Sequence, residues 1–185
     1  MTNQTVVAPL LLAVFVAIGL QLTVAIAQAA DPVHPVLAHQ ITERDPGKLA
    51  EQLATIMGMS EEEVVALVPV QTPTFFCGCP NCKVGRFDGE FDMEWTPEQP
   101  YQMRCKHCGH VYPDEENYPT DRTQTATSPL GEQVTVRYHF SGGRDYFIQS
   151  KIWHFQKEWL GAQAYELAKA YRVTGKPEYA RRAAL

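Results

Sequence analysis

Apolar side chains open the chain as a nearly unbroken run from Val6 to Leu20, and the pattern then breaks into short periodic stretches. A more polar stretch leads to the small-residue sequence Ala27-Gln28-Ala29, the layout of a secretory signal cut after Ala29. Residues 1–29 are therefore expected to be a signal peptide, with the mature chain starting near Ala30 in a periplasmic or extracellular setting. No Lys or Arg precedes the run, and its apolar character can be followed to Ile26, so an uncleaved membrane anchor stands as the alternative.

Residues 30–74 read as a helical lead. After Asp45-Pro46, the spacing of Leu49, Leu53, Ile56 and Met57 places them on one helical face, and Gly58 ends that helix. Ser60 followed by Glu61, Glu62 and Glu63 predicts a capping box at the start of a second helix, which Pro69 and Pro73 stop. Residues 75–112 change character, with cysteines, glycines and aromatics, and Asp88-Gly89 between Val84–Phe87 and Glu90–Trp95 predicts a β-hairpin. From Tyr112 to Gly131 the chain is polar and without periodicity, which predicts a loop or linker.

Within residues 113–151 the second half is patterned differently. Val134, Val136, Tyr138 and Phe140 alternate with polar residues as the apolar face of a strand, Ser141-Gly142-Gly143 turns it, and Tyr146–Ile148 returns. From residue 152 the period changes to that of a helix, with Ile152, Phe155, Trp159, Ala164, Leu167, Ala168 and Tyr171 on one face until Thr174-Gly175. Pro177 then starts another helix that ends with the chain at Leu185, an apparent truncation because an aromatic-rich helix needs more partners than this to cover it.

The fold class is thus α+β: short N-terminal helices, a zinc-ribbon-like hairpin, a second hairpin, then helices. A net charge of -5 argues against a nucleic-acid partner, because phosphate neutralisation needs a basic face. The one basic run, at Arg181 and Arg182, reads as a solvated helix face.

The chemistry sits in the cysteines. Cys79-Pro80-Asn81-Cys82 and Cys105-Lys106-His107-Cys108 are two CxxC turns one hairpin apart, the spacing of a zinc ribbon. Each turn presents two thiolates on one side, and four thiolates at about 2.3 Å complete tetrahedral Zn²⁺ with no open position. The expected cofactor is therefore one structural Zn²⁺ held by Cys79, Cys82, Cys105 and Cys108. Export leaves two disulfides open as an alternative, a thioredoxin-type redox pair lacks its βαβ surroundings, and Cys77 is either a buried thiol or a substitute ligand. His107 and His110 read as bystanders.

The succession "VPVQTP", "CPNC", "FDMEWTPEQPYQMRCKHCGHVYPDEENYP" and "AYELAKAYRVTGKPEYARRAA" resembles the N-terminal part of heparinase II/III-like polysaccharide lyases, over about Ser60 to Leu185. The resemblance implies that residues 152–185 begin an α/α toroid, here incomplete. It also implies that the complete protein cleaves an anionic, uronate-containing polysaccharide by β-elimination, with Tyr or His transferring protons. In such lyases those residues lie on later helices, so no catalytic residue is assigned and this chain alone is expected to be inactive. His139, His154, Tyr146 and Tyr165 are chemically able to transfer protons but read first as packing or surface residues, and Trp153 and Trp159 as core rather than sugar-stacking platforms. The alternative function is a secreted zinc-ribbon interaction module whose helical hairpin binds protein or glycan.

Overall fold

The structure is a computed structural model that describes residues 41–69, 71, 77–84 and 92–185, and every element named below lies in the compact unit Thr42–Leu185. The expected signal peptide and the Asp88-Gly89 turn of the first expected hairpin lie outside the described residues. No helix among the described residues is long and apolar enough to cross a membrane.

The helical lead forms as its sequence dictates. Asp45 caps α1 (Pro46–Gln52), its carboxylate accepting from the Gly47 and Lys48 amides, while Pro46 takes a first-turn position where no amide is needed. A kink at Leu53 separates α1 from α2 (Ala54–Gly58). Ser60 and Glu63 then close the expected capping box on α3 (Glu61–Ala66): Ser60 Oγ accepts from the Glu63 amide at 3.1 Å, and the Glu63 carboxylate accepts from the Ser60 amide at 2.7 Å.

Two three-stranded antiparallel sheets follow. The first comprises β1 (Met93–Glu94), β2 (Met103–Cys105) and β3 (Val111–Tyr112), paired Met93↔Cys105 and Met103↔Tyr112. The described part of the expected Glu90–Trp95 strand therefore pairs forward with β2. The turn between them is pinned at Pro100, whose carbonyl accepts from Trp95 Nε1 and from the buried Gln156 Nε2, both at 2.9 Å.

The second sheet contains β4 (Arg122–Thr127), β5 (Gln133–Ser141) and β6 (Arg144–Tyr146). Strand β4 corrects the expectation of a loop from Tyr112 to Gly131. All six of its residues are exposed, so burial leaves no alternation to read; pairing rests instead on backbone bonds and polar cross-strand contacts such as Thr125 Oγ1 to Thr135 Oγ1 at 2.8 Å. On β5 the apolar face is narrower than its sequence suggests: Val136 is buried and Tyr138 packs on Phe147, but Phe140 is exposed and lies beneath the Arg122 guanidinium. The β5–β6 connection is a two-residue turn with Gly142 and Gly143 at φ of 57° and 75°, conformations that both central positions of such a turn require.

Helix α4 (Ile148–Thr174) starts at Ile148, which therefore belongs to the helix rather than to the returning strand. At 27 residues it is about 40 Å long and spans two cores. Near its start, Ile148 and Ile152 pack with Tyr146, Met93, Met103, Tyr112 and the cysteines. Toward its end, Leu167 and Ala170 pack with Leu49, Leu53, Ile56 and Val64 of α1–α3 and with Tyr179 of α5 (Pro177–Ala183). Ala168 and Tyr171, expected on the inner face, are exposed, because the covering helices take the stripe through Leu167, Ala170 and Val173 instead. Gly175 ends α4, its amide donating to Tyr171 O at 2.8 Å. Arg182 also departs from expectation: it is half-buried and donates from Nη2 to Met59 O at 2.8 Å, tying α5 to the turn between α2 and α3.

Candidate metal centre

The two CxxC turns are built alike. In the first, the Lys83 amide donates to Cys79 O at 3.1 Å; in the second, the Gly109 amide donates to Cys105 O at 2.9 Å. The residue after each second cysteine is left-handed, Lys83 at φ 55° and Gly109 at φ 72°. This bend lets the next amide turn back on the sulfur: the Val84 N–H bonds the Cys82 sulfur, and the His110 N–H bonds the Cys108 sulfur. The second turn is also the β2–β3 connection, held by the Cys105 amide donating to His110 O at 2.9 Å and by the Lys106 amide donating to Asp92 O at 2.9 Å.

The turns face each other across a small gap. Cys79 Sγ lies 3.6 Å from Cys108 Sγ, Cys82 Sγ lies 3.8 Å from Cys105 Sγ, and all four sulfurs fall within 4.8 Å of one another. Four ligands at about 2.3 Å from a tetrahedral centre stand about 3.8 Å apart, so this spacing fits a single ion. A disulfide needs about 2.05 Å, and all five cysteines are free thiols. The cluster can hold a metal ion. Cys77 is not part of it: its side chain is fully buried beside Tyr146 and Ile152, and Sγ donates to Gly78 O at 3.4 Å.

The metal-free thiols differ according to their surroundings. Burial pushes Cys105 up to about 12, Cys77 up to about 12, and Cys82 upward. Cys108, exposed at the rim, is drawn down to about 6, chiefly by the His110 N–H and further by the Asn81 amide. A cation among the sulfurs favours the thiolate at every one of these positions, and metal uptake therefore releases protons.

Behind the sulfurs lies a layer of hydrogen bonds that sequence reading did not single out. Tyr112, 0 % exposed, places its hydroxyl 3.1 Å from Cys79 Sγ. The same oxygen accepts from the Asn81 amide at 3.2 Å, which leaves the phenol hydrogen for the sulfur. Asn81 Nδ2 donates to Cys108 Sγ at 3.5 Å while its Oδ1 accepts from Tyr118 at 2.9 Å. The aromatic, acidic "VYPDEENYP" stretch was the available signal. His107 and His110 are turned to Asp92 and Asp114, at 2.7 and 3.0 Å, and His110 also packs against Tyr112 and Tyr118.

Of the four side chains able to transfer protons, the fold brings two together. His139 and Tyr146 are cross-strand partners with rings 6.0 Å apart, but Tyr146 is buried with its phenol pushed up by burial, and His139 Nδ1 is bonded to Pro119 O at 3.1 Å. His154 lies against Phe155, and Tyr165 is on the surface of α4 beneath Lys169. Trp159 packs against Trp95 at 6.0 Å, whereas Trp153 lines a cavity at the start of α4. No family model, curated protein or solved structure matches the chain.

Proposed function

We propose that Cys79, Cys82, Cys105 and Cys108 hold one structural Zn²⁺, and that the chain is the zinc-stabilised N-terminal region of an exported heparinase II/III-like lyase. The observation that carries the metal reading is the closed set of four sulfurs within 4.8 Å of one another, at the edge of the core formed by β1–β3 and the start of α4, with Cys79 and Cys105 buried and Cys108 at the rim. Four thiolates suit zinc, and a site filled by four protein ligands keeps no position for water, so the ion's task is to hold structure. Zinc supplies a cross-link between residues 79–82 and residues 105–108; the protein supplies amide and phenol donors that fix the sulfurs and moderate their charge.

The lyase reading rests on the succession of sequence stretches from Ser60 to Leu185. The long helix α4 with α5 folded against it is compatible with the opening of a helical toroid, and the anionic uronate polysaccharide is the substrate class of the complete protein. The region's role is scaffolding, since Tyr146 is buried and His139 is tied to the backbone. Metal analysis with a free-thiol count tests the first part: about one zinc per chain, with all five cysteines counted as free thiols after the metal is released, is expected. Absence of metal with the two CxxC pairs oxidised would overturn it. For the second part, the complete gene product should create unsaturated ends on a uronate polysaccharide while residues 30–185 alone do not; strong turnover by the short form would contradict a scaffolding role.

A further inference from the structure

A second feature, away from the sulfurs, is a cavity of about 300 Å³ at the beginning of α4. That size is at the small end of ligand pockets. Its floor includes Ile148 and Ser150 from the first turn of the helix, and its walls include Arg137 from β5 and Trp153.

Among the described residues, no acceptor pairs with the first-turn amides of the helix. Phe147 occupies the N-cap and has no side-chain acceptor, and the first bond of the helical ladder runs from the Lys151 amide to Phe147 O at 3.0 Å. The amides of residues 148–150 precede it and carry the positive end of a 27-residue helix. A helix start alone is no site, but here a buried side chain adds to it. Ser150 is 1 % exposed, and its Oγ has no hydrogen-bond partner. A buried hydroxyl left unmade costs stability, which a ligand would recover.

The remaining polar groups narrow the ligand. Arg137 supplies positive charge at the wall, while Glu115 lines the same cavity with its carboxylate occupied by the Thr120 amide at 2.9 Å and the Thr120 hydroxyl at 2.5 Å. Gln71 Oε1, also lining the cavity, is buried without a donor. Anion donors on one side and an orphaned acceptor, Gln71 Oε1, on the other suit a molecule carrying both a carboxylate and a hydroxyl; Trp153 and Ile148 give its carbon body apolar contact. Sulfate has no hydrogen to donate to Gln71 Oε1.

The geometry points to a binding site for a small hydroxycarboxylate, its carboxylate held by the first-turn amides of α4, Ser150 Oγ and Arg137, its hydroxyl donating to Gln71 Oε1. This site does not depend on the zinc or lyase readings. Calorimetric titration of the metal-loaded chain with lactate, propionate and sulfate tests it, with metal content measured on the same samples. Lactate is expected to bind best. Ser150→Ala should weaken lactate by about tenfold, the loss of one charge-assisted hydrogen bond, while thermal stability stays level or rises because an unpaired hydroxyl has gone. Arg137→Gln, on the exposed face of β5, should weaken lactate and propionate alike. No lactate binding, lactate binding unchanged in both variants, or sulfate binding as tightly as lactate would overturn the proposal.

Discussion

Lys83 stands where the second CxxC turn has Gly109, and it holds a left-handed backbone at φ 55° that a side chain resists. Lys83→Gly should therefore raise stability by about 0.5–1 kcal/mol, the strain relieved less the entropy of a freer unfolded chain, read by denaturant unfolding of the metal-loaded protein. Tyr112→Phe removes the donor to Cys79 and the acceptor for the Asn81 amide. It should weaken metal binding by about 10–100-fold in chelator competition, with the fold retained; unchanged affinity would show the hydroxyl to be incidental. The four cysteines were legible because the CxxC turn is a local device, written in consecutive residues. Tyr112 was not, because its place behind Cys79 depends on the pairing of β2 with β3 and on a contact 33 positions along the chain.

Among the elements, α4 joins two cores that carry different interactions. Ile152 lies in the sulfur-bearing core and Leu53 in the core made with α1–α3. Either replacement by Ala should cost about 2–5 kcal/mol. Metal affinity separates them: Ile152→Ala is expected to lower it and Leu53→Ala to leave it unchanged, by competition with a zinc chelator. The N-terminal helices were readable from the Ser60 cap and from the spacing of Leu49, Leu53 and Ile56, but the break at Leu53 was not, since that residue keeps the apolar spacing on both sides. Strand β4 was not, since a fully exposed strand carries no burial pattern and its partner alone defines it. The inner face of α4 was displaced near Tyr171 for a related reason: which stripe is covered depends on where α1–α3 dock, and the sequence of α4 does not encode their position.

Over the whole of Thr42–Leu185, the two cores should respond unequally to loss of metal. The sheet β1–β3 has strands of only two or three residues, so the proposed metal cross-link between the CxxC turns would carry much of its stability, whereas α1–α3 rest on apolar packing against α4 and α5. Chelation should therefore remove hydrogen-exchange protection from residues 92–112 first and leave that of residues 46–66 largely in place; simultaneous loss would mean that the metal holds both cores. The proposed site places four sulfurs, and nothing else, around one zinc ion. X-ray absorption at the zinc edge of the purified protein measures this directly. Four sulfur neighbours at about 2.3 Å are predicted, and a shell containing nitrogen or oxygen, or protein free of zinc, would rule out a structural four-thiolate zinc site.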